Sequence, residues 1–99
     1  MNNNQINNTS YYQLPCGKYL EDFIYYKGLN FAEGSALKYA WRAGKKDGES
    51  AEKDHEKMNH YIHFITKVSG VSHLSVMAEI DIWLDQARTW DGDYSKLSQ

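Results

Sequence analysis

Four stretches of the chain repeat apolar side chains every three to four residues, the spacing of one helix face. Nothing sustains the alternation of a strand. The first stretch is Tyr19 to Lys27, with Leu20, Phe23, Ile24 and the stem of Lys27 in register and Gly28 after it. Asp22 sits among these apolar residues, where it can cap the helix, pair with a cation or serve chemistry, and of these a structural ion pair is expected. The second lies between Asn30, a good N-cap, and Gly44, a good C′ residue. The third opens at Ser50, has Glu52 and Asp54 where the helix dipole favours anions, and closes at Gly70. Met58, Tyr61, Ile62 and Ile65 mark its apolar side. The fourth is capped by Ser72 or Ser75 and ends near Trp90. Its stripe of Val76, Met77, Ile80, Trp83, Leu84 and Ala87 is the clearest in the chain, wide enough to serve a subunit interface as well as a core. Tyr11 to Lys18 reads as a loop, because Pro15 restricts Leu14 to extended conformations and Gly17 follows. The pattern predicts an all-α fold: a small bundle of about four helices with a flexible Asn-rich N-terminus. Residues 1–10 form the arm, 11–90 a single helical domain, and 91–99 an irregular C-terminal tail.

The second stretch, NFAEGSALKYAWRAGKKDG, concentrates the chemistry. At about 100° per residue, Phe31, Gly34, Lys38, Arg42 and Lys45 fall on one side of the predicted helix. Leu37, Ala40 and Trp41 fall on the neighbouring, apolar side. No acid lies between Glu33 and Asp47, so Lys38, Arg42, Lys45 and Lys46 stand unneutralised in sequence. Arginine offers a planar fork and lysine a mobile point charge, a combination suited to phosphate. Gly34 and Ser35 are small enough to let a ligand approach. A solvated basic face would show the same residues, since charge on an exposed helix face is common. If the face holds phosphate, Arg42→Ala should weaken binding by roughly ten- to a hundredfold without unfolding the chain.

The motif G-x-x-x-K-Y-x-x-R-x-G-K-K-D-G, Gly34 through Gly48, resembles the signature of a small phage-encoded family of unknown function. The likeness extends from Tyr11-Tyr12 through Leu14-Pro15 and Asp22-Phe23-Ile24 to the acidic, lysine-rich stretch Glu52 to Tyr61. That family includes the nucleoside-monophosphate kinase of the T-odd coliphages, which lacks the usual phosphate-binding loop. The resemblance implies a nucleotide ligand and the cytoplasm of a host cell. Small phage proteins that capture nucleotide immune signals are comparable in size and role, not in motif.

Composition narrows the partners. Ninety-nine residues make one domain, and 41% hydrophobic content supports a modest core. Eight Tyr, three Trp and three Phe serve either that core or base stacking, so their number does not choose between the two. A net charge of −2 argues against a binder of long nucleic acid. A single cysteine, Cys16, excludes an internal disulfide and fits a reducing compartment. No apolar run approaches the length of a membrane span, and no signal-peptide pattern is present.

Motifs for other chemistries are missing. Tyr39 occupies the first glycine position of a phosphate-binding loop, and Lys46 its Ser/Thr position. His55, Asn59 and His63 share a helix side with His60 nearby, but no H-E-x-x-H or cysteine pair accompanies them, so neither metal nor cofactor is implied. Asp81 and Asp85 read as exposed acids. Binding an anion needs none of these. The expected function is capture of a small phosphorylated nucleotide, linear or cyclic, sequestering a host antiviral defence signal. The alternatives are a nucleoside-monophosphate kinase and, more weakly, a direct protein inhibitor of a host defence enzyme. Lys38, Arg42, Lys45 and Lys46, with Gly34 and Ser35, are the expected phosphate ligands. Tyr11, Tyr12, Phe31, Tyr39, Asn59 and His60 are the expected pocket residues. A homo-oligomer is expected from the apolar last helix.

Overall fold

The computed structural model describes residues 10–43 and 50–97, and within them the chain is helical with no strand. The four helices are α1 (Leu20–Lys27), α2 (Phe31–Arg42), α3 (Ala51–Ser69) and α4 (His73–Thr89). Their ends follow local chemistry. Asn30 Oδ1 accepts the Glu33 amide at 2.8 Å while Glu33 Oε1 accepts the Asn30 amide at 2.9 Å, a reciprocal capping box for α2. Ser50 caps α3, and Ser72 rather than Ser75 caps α4. Asp22 is a cap, not the expected ion-pair partner: its Oδ2 accepts the Tyr19 amide at 2.9 Å at the head of α1. Gly28 and Gly70 close α1 and α3 with φ of 84° and 77°, values an L side chain adopts only with strain.

The helical stripes meet in one core. Leu20 and Phe23 of α1, Ala36, Leu37 and Trp41 of α2, Ile62 of α3, and Val76, Ile80, Trp83 and Ala87 of α4 are buried together. Thus the α4 stripe is taken up within a single chain, and only its edge, Met77, is exposed. Antiparallel α2 and α3 form the most extensive helix pair. Residues expected to lie outside the core enter it at both ends. Leu14, in the loop before α1, is buried, and its amide donates to the Lys18 carbonyl at 2.7 Å. The tail expected to be irregular forms a 3-10 turn, Tyr94–Lys96, which brings Leu97 into the core. Two indoles fasten these segments: Trp41 Nε1 donates to the Tyr11 carbonyl and Trp90 Nε1 to the Asp93 carbonyl, both at 2.9 Å. No helix among the described residues is long and apolar enough to cross a membrane. The expected arm 1–10 lies outside the described residues except for Ser10, which starts a 3-10 turn.

Candidate functional site

The α2–α3 pair is locked at one end by a buried ion pair. Arg42, in the last turn of α2, donates from Nε and Nη2 to a single oxygen, Asp54 Oδ1, at 3.1 and 3.0 Å. Its Nη1 donates to the Tyr12 hydroxyl at 3.0 Å. The Arg42 side chain is 10% exposed and that of Asp54 is 0%. Asp54 Oδ2 has no hydrogen-bond partner among the described residues. Burial opposes the charge on Arg42, but its hydrogen bonds to Tyr12 and Asp54 and their attraction outweigh that, holding its pKa above the ordinary arginine value. A guanidinium held this way on three sides fixes the helix pair and the N-terminal segment.

One turn back, the ring of Tyr39 is surrounded by cations. Arg42 Cζ lies 5.1 Å, Lys57 Nζ 5.5 Å and Lys38 Nζ 5.6 Å from its centroid. Lys38 Nζ is also 5.7 Å from the Tyr12 ring. Cation–π attraction holds a lysine near a ring without consuming its N–H groups, which in the exposed Lys38 can still reach an anion. Lys38 is exposed and has no carboxylate partner among the described residues. The aromatic row continues along the helix pair. Tyr39 stacks on Tyr61 at 6.1 Å with planes 10° apart, and Tyr61 meets Phe31 edge-on at 5.9 Å and His60 at 5.0 Å. Beyond Tyr61 opens a groove of about 620 Å³, lined by Phe31, Glu33, His60, Phe64, Ile65 and Val68 among others. Positive charge thus lies at one end of the row and apolar surface at the other.

The structure divides the expected basic face. Lys38 stands at the cluster, near the Tyr39 and Tyr12 rings. Arg42, at the same angular position on α2, is a structural residue instead, because its axial level faces Asp54 and Tyr12 rather than solvent. Gly34 is also buried, and for packing: a Cβ there would meet Ile24 Cγ2 at 2.8 Å, so the close approach it allows is that of α1 to α2, not of a ligand. Ser35 is half-buried near this contact. Lys45 and Lys46 lie outside the described residues. Of the expected pocket residues, Phe31, Tyr39 and His60 join the row, and Tyr12 meets Lys38 and Arg42 at its cationic end. Tyr11 contributes its carbonyl to Trp41 instead, and Asn59 is exposed. Lys57 carries no role in the sequence, where Tyr61 reads as an apolar-face residue and Asp54 as a first-turn anion rather than as parts of a site. Their spacing, i, i+3 and i+7, marks one face of α3, and an acid on the face that carries a tyrosine was the available signal. His55, His60 and His63 are exposed on α3, and no group of three or more His, Cys, Asp or Glu is gathered among the described residues.

A small all-α protein with a cation-ringed tyrosine beside an apolar groove is the class these features define. Comparisons with family models, curated proteins and solved structures find no match. The likeness to the phage family therefore rests on the motif residues alone.

Proposed function

We propose that the protein captures a small phosphorylated nucleotide, with phosphate against Lys38 and Lys57 and the base against the stacked Tyr39–Tyr61 pair. The observation that carries this reading is the gathering of Lys38 and Lys57, from two helices, around one tyrosine ring that continues into an aromatic row. Charge-assisted contacts supply phosphate affinity, and aromatic faces accept any base. Arg42 supports the site by fixing Tyr12 and the α2–α3 pair, and stacks on Tyr39 without offering its fork. Capture requires no further group, and the resemblance to a nucleotide-handling phage family agrees with it. The test is calorimetric titration with a panel of linear and cyclic nucleotides, followed by chromatography of the recovered ligand. Intact ligand at stoichiometric occupancy is the expected result. Lys38→Gln should weaken binding by roughly tenfold or more, and added salt should weaken it for the wild type. Absence of binding across the panel ends this reading, and a phosphorylated product replaces it with the kinase.

A further inference from the structure

The two helices of the central pair differ in length. α3 has 19 residues and α2 has 12, about 28 Å against about 18 Å of helix. One stripe of α3 runs Asp54, Lys57, Tyr61, Phe64 and Val68, at alternating steps of three and four residues. Its first half is covered by α2. Its second half overruns the start of α2, leaving Phe64 50% and Val68 65% exposed, beside Phe31 at 79%. A second, smaller groove of about 290 Å³, with Val71 on its wall, shares Glu33, Ile65 and Ser69 with the first and so continues the same surface.

We propose that this overhang is the contact surface between two copies of the chain, paired about a two-fold axis. Seams spaced three and four residues apart are what helices use to pack on one another. Phe31, Phe64, Val68 and Val71 leave on the order of 450 Å² in water, taking ~200 Å² for an aromatic side chain. That is more than half of the ~800 Å² each partner contributes to a stable interface. The surface can also be dried cheaply. No lysine or arginine lines the larger groove, and its one carboxylate, Glu33, already accepts the Asn30 amide. That chemistry suits the same apolar surface of a second copy. It does not suit a nucleic acid or an anionic membrane, which need cations. A two-fold places each protruding Phe31 against the other chain's groove, as an isologous interface requires. Tyr61 borders both the groove and the cation cluster, so each copy would stand beside its partner's nucleotide site.

Sedimentation velocity and light scattering across micromolar concentrations test this. The wild type should have twice the 11.5 kDa mass of the chain. Phe64→Glu and Phe31→Glu should each give a monomer with unchanged helicity whose melting no longer rises with protein concentration as the dimer's does, since both positions are exposed and glutamate suits the first turn of α2. Tyr25→Glu, an equally exposed aromatic on α1 that lines neither groove, should leave the dimer intact. A wild-type monomer, or an oligomer that survives both groove substitutions, overturns the proposal. So does an oligomer broken by Tyr25→Glu alone.

Discussion

Removing the carboxylate of Asp54 is the sharpest test of how the site is built. In Asp54→Ala, Arg42 keeps its charge and its burial but loses both hydrogen bonds to Oδ1. Breaking a buried pair from one side typically costs about 3–5 kcal/mol. A domain of this size has about 5–15 kcal/mol in total, so the loss is a large share. At roughly 4–8 °C per kcal/mol, melting should fall by at least about 12 °C. Asp54→Asn retains an acceptor but not the charge, and should cost about 1–3 kcal/mol, the difference between charged and neutral hydrogen bonds doubled over two bonds. Arg42→Met with Asp54→Leu leaves no charge buried, and should recover most of the single-mutant loss. Urea unfolding followed by helical circular dichroism gives all three values. An Asp54→Ala cost below about 1 kcal/mol would refute the reasoning, because Arg42 would then be solvated and available as a phosphate ligand after all.

Three further outcomes follow from the packing. Gly34→Ala gains up to ~1 kcal/mol in helix propensity but collides with Ile24 Cγ2, so it should be net destabilising, and adding Ile24→Ala should relieve the collision; unfolding of the two single variants and the double variant checks this. Trp83→Asp places an unpaired carboxylate in the core and should cost several kcal/mol, read as loss of helicity or soluble expression. The side chain of Lys96 and, next, the amide of Asp93 hold the exposed Asp91 carboxyl below its ordinary pKa. Its contribution to stability should therefore be present at neutral pH and lost as pH falls through that depressed value. An NMR titration of Asp91 that moves back toward the ordinary range in Lys96→Met checks the cause.

Much of the fold was legible because it depends on near neighbours. Ser50, Ser72 and Asn30 satisfy amides three residues ahead, and the α4 stripe needs only its own period. The site was less legible because a helical wheel gives angle without height. Lys38 and Arg42 share an angle on α2, but one level faces water and the other faces Asp54, twelve residues further along the chain. In sequence Gly34 offers room for a ligand, whereas in the fold Ile24 of the preceding helix fills that room. Leu97 and Leu14 joined the core from segments without periodicity, where no local pattern could mark them.

The two indole anchors have a spectroscopic consequence. Trp41 is tied to the segment before α1 and Trp90 to the turn after α4, so each reports on a different end of the chain. In a variant keeping only Trp41, a red shift in emission would register release of the segment that carries Tyr12. The Trp90 variant would register fraying of the carboxyl-terminal turn. Opening at the Tyr12 end would loosen one of the two groups that accept hydrogen bonds from Arg42, so the two colours of fluorescence would separate motion that reaches the cation cluster from motion that does not.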